Sequence, residues 1–394
     1  MTAGWFLRCA SCVFLLTTSL NVIRPMVSYR ALEIGASTAQ IGYVAASYAL
    51  LSFVVAVPTG QWVDRFGESR FLLGGAIVMT AMAAWLAVVS SVLMLGVAQA
   101  VLGAGQIFGL VALQTLVANC SPPDQRDARY GAFAVMGSLG QVTGPAVGGF
   151  VSSLAGGGTT TALWASVTFL VGLVVLAASL RRWPPPSGVR EKTPPRTDAA
   201  LAAMVRILRL RSMPQAMLAS LAVLATIDIL VAYVPVYGEA NGISVAAVGL
   251  LLSLRAAASV LSRLALVPLL RWLGRRHLFL LGLLLPGLAL LLFPTTTSVP
   301  LLGVLLAVAG FGLGLGQPMS LAWVTRAVPA DSRGIAIGVR LMGNRGGQVA
   351  LPAAFGAIGG AAGVAAIFVA LGVLLASSAG VVMRAPFDAD AGGS

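Results

Sequence analysis

The chain has 394 residues, of which 58% are hydrophobic and only 9% charged, with a formal net charge of +13. An ordinary soluble domain carries about 25% charged residues, so a water-exposed surface of this size cannot be covered. Long apolar runs broken by short polar loops instead indicate helices in a bilayer, because β-barrel spans read as alternating segments of about ten residues. The positive charge does not call for nucleic acid. It collects in short loops between apolar runs, where membrane topology accounts for it.

The first apolar stretch follows Arg8 and continues to residue 27 without a small-residue cleavage pattern, so it reads as a retained span and not as a signal peptide. Further spans are expected at 39–61, 71–90, 92–117, 131–154 and 161–180. After a polar break they continue at 214–237, 244–267, 278–294, 299–325, 334–357 and 361–383. Each is long enough to cross about 30 Å of hydrocarbon. The fold expected is an all-α membrane protein of twelve transmembrane helices in two pseudo-symmetric six-helix bundles, at 1–180 and 214–384. A linker at 181–213 joins them, and a tail follows at 385–394.

Basic residues orient the chain. Arg8, Arg65, Arg70, Arg126, Arg129, Arg271, Arg275, Arg276, Arg326, Arg333 and Arg384 fall at one face with the basic linker, and the other face carries Arg30 beside Glu33 and Glu239. Both termini are therefore expected in the cytoplasm, with the chain in the cell inner membrane. The linker opens with Pro-rich residues 183–197, expected to be extended. In 198–212 Leu201, Met204, Val205 and Leu208 alternate with Arg206, Arg209 and Arg211, the pattern of an amphipathic helix on the membrane surface. The three cysteines, Cys9, Cys12 and Cys120, make no disulfide framework, and the Cys9/Cys12 pair has no His or acid beside it for a metal site.

The sequence repeats itself. A shift of 207 positions lays Gly35 on Gly242, Gly67 on Gly274, Gly103 and Gly105 on Gly310 and Gly312, Asp124 and Arg126 on Asp331 and Arg333, and Gln141 and Pro145 on Gln348 and Pro352. Apolar similarity alone does not hold glycines, prolines and loop charges in one register. A duplicated six-helix unit of this kind builds carriers whose site lies between the repeats.

Between spans 2 and 3 the chain reads Gly60-Gln-Trp-Val-Asp64-Arg65-Phe-Gly67-Glu-Ser-Arg70, and span 5 contains Gly140-Gln-Val-Thr-Gly144-Pro145-Ala-Val-Gly148-Gly149. The first resembles the loop signature of the major facilitator superfamily, and the second is similar to that family's antiporter motif. The resemblance implies a conformational latch at Asp64, set at the positive end of another helix. It also implies a closely packed, bent fifth helix typical of exporters that exchange solute for protons. One departure stands out: the span-4 position that holds an Arg linked to proton transfer in such exporters is Gln99.

Ionisable groups inside a bilayer are expensive and therefore candidates for function. They are Arg24 in span 1, Asp228 in span 7, Arg255 and Arg263 in span 8, and Arg340 and Arg345 in span 11. Asp228 is the one carboxylate in these spans, and the repeat sets it opposite Asn21. Arg255 and Arg345 are expected to form a cationic floor for an anionic group, with Asp228 pairing with one Arg and being released or protonated when solute binds. Arg24 lies nearer the periplasmic mouth. Arg263 and Arg340, closer to the cytoplasm, have the reach to snorkel and carry less weight as site residues. Structural ion pairs are the competing reading of the same residues. Tyr48, Phe108, Tyr233 and Trp323 offer apolar contact, or ordinary packing, and His277 reads as an interface residue.

Three functions remain in play: a proton-coupled exporter of a small anionic, zwitterionic or amphiphilic solute; an importer of an organic anion; and a multidrug pump for lipophilic compounds. The many Arg and single Asp argue against a site built for lipophilic cations. An enzyme is not expected, since no span carries a metal cluster or a base beside a nucleophile. No cofactor is called for. The expected partners are a small solute, protons and lipids, and the chain is expected to act as a monomer.

Overall fold

A computed structural model describes residues 3–154, 158–181, 213–326, 328 and 333–384. Most of the linker, with its expected amphipathic helix, and the tail at 385–394 lie outside the described residues. Among the described residues the chain forms twelve long helices and no strand. They are α1 (Ala3–Glu33), α2 (Thr38–Phe66), α3 (Glu68–Val88), α4 (Val92–Cys120), α5 (Arg126–Leu154) and α6 (Gly158–Leu180), then α7 (Met213–Ala240), α8 (Val245–Leu264), α9 (Leu266–Leu292), α10 (Val299–Arg326), α11 (Arg333–Ala362) and α12 (Val364–Arg384). Ten of them are long and apolar enough to cross a membrane. The two that fall short, α5 and α11, are partners in the repeat. Both begin with charged residues and are dense in glycine, which lowers their hydropathy without shortening them.

The repeat recurs in backbone conformation. Gly35 (φ 78°) and Gly242 (φ 68°) both turn the chain after the first helix of a repeat, in the left-handed region that favours glycine. Two residues on from each glycine, a serine caps the next helix. Ser37 accepts from the Gln40 backbone N–H at 3.3 Å while the Gln40 side chain accepts from the Ser37 N–H at 2.8 Å, and Ser244 accepts from the Ala247 N–H at 3.3 Å. Gly67 (φ 93°) and Gly274 (φ 72°) make the next pair of turns.

Two boundaries depart most from expectation. Helix α1 continues past residue 27, to Glu33, because polar residues there are paired instead of solvated. Arg30 donates to the Val89 carbonyl from Nε (3.1 Å) and Nη2 (2.9 Å) and to Glu33 from Nη1 (3.1 Å), and Glu33 accepts from Thr159 at 2.6 Å. The loop expected at 268–277 is helical on both sides of Gly274, and the chain breaks earlier, at Ala265. Pro268 has no N–H to offer the Leu264 carbonyl, so the break falls one turn before it.

The chain divides into two compact units, one holding α1–α6 with 231–253 and the other holding 213–230 with 254–384. In the first, α1 packs on α5, α6 and α4, and α3 packs on α4 and α6. In the second, α9 packs on α10 and α12, the same pairing one repeat later. The crossings are also the same. A Cβ on Gly75 would sit 2.7 Å from the Gly105 carbonyl oxygen, and one on Gly282 would sit 3.3 Å from that of Gly312. A Cβ on Gly103 would overlap the Tyr48 carbonyl, and one on Gly310 would overlap the Arg255 carbonyl. Small residues let these backbones meet, which is how helices gain van der Waals contact in a membrane.

Candidate transport site

In the second unit, α7 and α11 bring Asp228, Gln348 and Arg345 together. Gln348 donates from Nε2 to Asp228 at 2.6 Å and accepts at Oε1 from Arg345 Nη1 at 3.1 Å. Asp228 is 9% exposed and Arg255 7%, so both are withdrawn from bulk water. The amide passes polarity in one direction: the carboxylate orders the N–H end of Gln348, and the guanidinium orders the oxygen end. A charge change at Asp228 is therefore felt at Arg345 through one side chain. Sequence reasoning paired Asp228 with an Arg and missed Gln348, although the repeat had marked it against Gln141.

Arg340 resolves an open reading. It is 6% exposed and does not snorkel. Its Nη2 donates to Gln317 Oε1 (2.7 Å), Ser320 Oγ (2.9 Å) and the Gln317 carbonyl (3.3 Å), all on α10. These acceptors hold the head group inside the unit and away from water. Gln317 and Ser320 are three residues apart on one face of α10.

In the first unit the named residues fall into separate places. The Arg24 guanidinium lies over the Tyr48 ring at 5.2 Å, and Tyr48 donates to Gln106 at 2.5 Å. Asn21 donates to the Thr17 carbonyl at 2.8 Å within its own helix. Gln99 is buried at 3% exposure, and its Oε1 has no hydrogen-bond partner among the described residues. Phe108 belongs to an aromatic group with Phe71 (5.6 Å between centroids) and Trp62 (6.3 Å), which is packing. Tyr233 is fully buried and donates to the Thr38 carbonyl at 3.1 Å. In the second unit, Trp323 meets Phe279 edge-on at 5.7 Å. His277 is exposed, its Nδ1 3.2 Å from the Leu273 carbonyl.

The span-5 glycines line one face of α5 against α1. A Cβ on Gly140 would strike Thr17 and the Thr18 N–H, one on Gly144 would lie 2.6 Å from Asn21 Cβ, and one on Gly148 would lie 3.2 Å from Val22. Gly149 faces the other way, where a Cβ would lie 2.8 Å from the Val245 carbonyl and 3.2 Å from Gly249. Pro145 sits within this helix, between the two faces. In the loop signature, Gly67 makes the turn that the spacing requires, but Gly60 does not mark a close approach, since a Cβ there meets nothing within 4 Å. Arg65 lies over the Phe66 ring at 5.3 Å, and Arg65 and Arg70 are exposed. The Asp64 side chain lies outside the described residues. Beside the turn, Asn119 donates to Glu68 at 2.6 Å and ties α4 to α3.

The model of the Major Facilitator Superfamily matches residues 9–244 and again 216–391. The chain belongs to the major facilitator superfamily of membrane transporters. Its two overlapping matches follow the internal repeat. Among curated relatives, multidrug resistance protein 1 of Bacillus subtilis is 22% identical over 142 residues, 36% of each chain. A probable actinorhodin transporter of Streptomyces coelicolor is 33% identical over 165 residues, 40% of this chain and 26% of that protein. The quinolone resistance protein NorA of Staphylococcus aureus is 24% identical over 36% of this chain and 37% of its own. The matched stretches thus span no more than 37% of these relatives' length. The superfamily fold itself extends over the chain. The nucleoside transporter NupG aligns with 96% of this chain and 98% of its own at a TM-score of 0.79 and 14% identity. A POT family transporter in complex with 5-aminolevulinic acid aligns with 96% of this chain and 95% of its own at a TM-score of 0.78 and 13% identity.

Proposed function

We propose that this member of the superfamily is a monomeric secondary transporter of the inner membrane, its termini in the cytoplasm, which exports a small organic solute in exchange for protons by alternating access. The observation that carries this reading is the chain Asp228–Gln348–Arg345, an acid and a guanidinium joined through one amide. A zwitterionic or amphiphilic solute suits both ends. Its cationic group competes with a proton for Asp228, and its anionic group takes the Arg345 fork. Solute and proton then exclude each other, which is the condition for antiport. The glycine face of α5 and the resemblance of that stretch to the antiporter motif support export, as do the names of relatives described as resistance proteins.

A second reading follows from the same chain and from Gln99, which stands where exporters of this family carry an Arg. A purely anionic solute would bind Arg345 and take away the charge that Asp228 leans on through Gln348. Binding would then favour proton uptake at Asp228, which couples solute and proton in the same direction, as in an importer.

Ligand-induced stabilisation separates the readings, since a ligand bound only to the folded carrier raises its apparent stability by mass action. Purified carrier is screened against zwitterionic, anionic and lipophilic cationic metabolites at two pH values. Stabilisation by zwitterions that strengthens as pH rises supports the exporter, because binding needs ionised Asp228. Stabilisation by anions that strengthens as pH falls supports the importer. Stabilisation by lipophilic cations alone, lost in Asp228→Asn, contradicts both and makes the protein a multidrug pump.

A further inference from the structure

The second unit contains a second polar cluster, at the junction of α7, α10 and α11, that the coupling chain does not use. Arg340 lies seven residues into α11, about 10 Å along the helix axis. Its three hydrogen bonds go to neutral acceptors on Gln317 and Ser320. Gln317 donates onward to the Ser220 carbonyl at 3.2 Å, and Ser220 donates to Asn344 at 3.1 Å. Asn344 is 4% exposed, and Ser220 and Ser320 are fully buried. Among the described residues no carboxylate lies within ion-pair distance of Arg340, and its Nε has no hydrogen-bond partner. Neutral acceptors satisfy donors but do not balance charge, and a desolvated guanidinium without a counter-charge is costly.

Packing does not require this cluster, and the repeat provides the control. The positions that correspond to Arg340, Gln317, Ser320, Ser220 and Asn344 are Phe133, Leu110, Leu113, Val13 and Gly137. The first unit builds the same junction: a Cβ on Gly137 would lie 3.8 Å from Val13, just as Asn344 meets Ser220. Phe133, Leu113 and Val13 are buried there. One fold therefore closes this junction with apolar side chains in one copy and places a charge in a cluster with four polar residues in the other. A charge placed where the fold does not need one, and without a counter-ion among the described residues, calls for a ligand of opposite sign.

We propose that Arg340, with Gln317, Ser320 and Asn344, forms an anion-binding site for a small monovalent anion. The charge comes from the guanidinium, and its Nε is the donor still to be filled. Ser320, whose hydroxyl rotates, is the group that re-aims toward the ion. The shared chemistry admits two sources, the carboxylate of an organic solute passing through the carrier or an inorganic halide. The site is separate from Arg345 and does not depend on the exporter reading.

The test is the unfolding midpoint of the purified full-length carrier in sodium chloride or sodium acetate, titrated at constant ionic strength against sodium gluconate, which is too bulky for a buried site. The wild-type midpoint is expected to rise saturably. In Arg340→Gln the rise is lost, and in Ser320→Ala the half-saturating concentration increases at least tenfold. Arg345→Gln keeps the rise, so failure of the coupling chain and failure of this site are told apart. Saturation by acetate at concentrations where chloride has no effect assigns an organic carboxylate, and the reverse assigns a halide. No saturable rise in the wild type, or an equal rise in Arg340→Gln, overturns the proposal. If Arg340→Gln does not fold, unchanged half-saturation in both Ser320→Ala and Arg340→Lys overturns it.

Discussion

Gln348 donates its side-chain N–H to Asp228 at 2.6 Å, joining α11 to α7 inside the second unit. The other end of the same amide accepts from Arg345, so neither contact can change without the other. A hydrogen bond to a charged group contributes about 1.5–3 kcal/mol when one partner is removed. Gln348→Leu is therefore expected to lower stability by about 2 kcal/mol in denaturant unfolding and to abolish the pH dependence of stabilisation by an anion held at Arg345. An unchanged pH dependence in that variant would show that Asp228 and Arg345 are not linked through the amide.

The glycine crossings give a paired prediction. Gly103→Ala and Gly310→Ala each push a methyl group into a backbone carbonyl, of Tyr48 and of Arg255. Overpacking of this kind costs about 1–3 kcal/mol. Both variants are expected to unfold at lower temperature by similar amounts, since the crossings are copies of one another. A large effect in one and none in the other would show that the two units do not share this geometry.

Within the loop signature the two glycines are expected to behave oppositely. Gly67→Ala forces an alanine to φ 93° and ψ 141°, which costs about 1–3 kcal/mol. Gly60→Ala adds a methyl group into open space within a helix and is expected to be neutral or to stabilise by up to about 1 kcal/mol. Thermal unfolding of the two variants side by side checks this.

On α5, Gly144→Ala is expected to destabilise the carrier, because the new methyl group meets Asn21 Cβ and the Thr18 carbonyl. Its cost should be nearly unchanged in the double variant with Asn21→Ala, since alanine keeps the Cβ and the Thr18 carbonyl remains. Double-mutant analysis of unfolding measures the difference.

Much of the architecture was legible because it was written twice. The 207-residue shift placed Gly35 and Gly67 against Gly242 and Gly274, and all four adopt positive φ, so the turns could be read from glycine register alone. Helix ends were less legible where pairing replaces solvation, as at Arg30 and Glu33, or where a missing donor acts one turn away, as at Pro268. The site was half legible. Asp228 and Arg345 announced themselves as charges in an apolar chain, but Gln348 is neutral, and only its contacts give it a role. For Arg340, depth alone left snorkelling open. The acceptors that hold it, Gln317 and Ser320, lie twenty or more residues away on another helix, where a rule about one helix does not look.

The most direct test of the coupling claim is transport in proteoliposomes of whichever solute the stabilisation screen identifies, comparing wild type with Asp228→Asn. The account predicts that the variant loses uptake or efflux driven by a pH gradient while solute exchange at equal concentrations on both sides continues, because the asparagine still accepts from Gln348 but cannot carry a proton. Gradient-driven transport in Asp228→Asn equal to that of the wild type would contradict it.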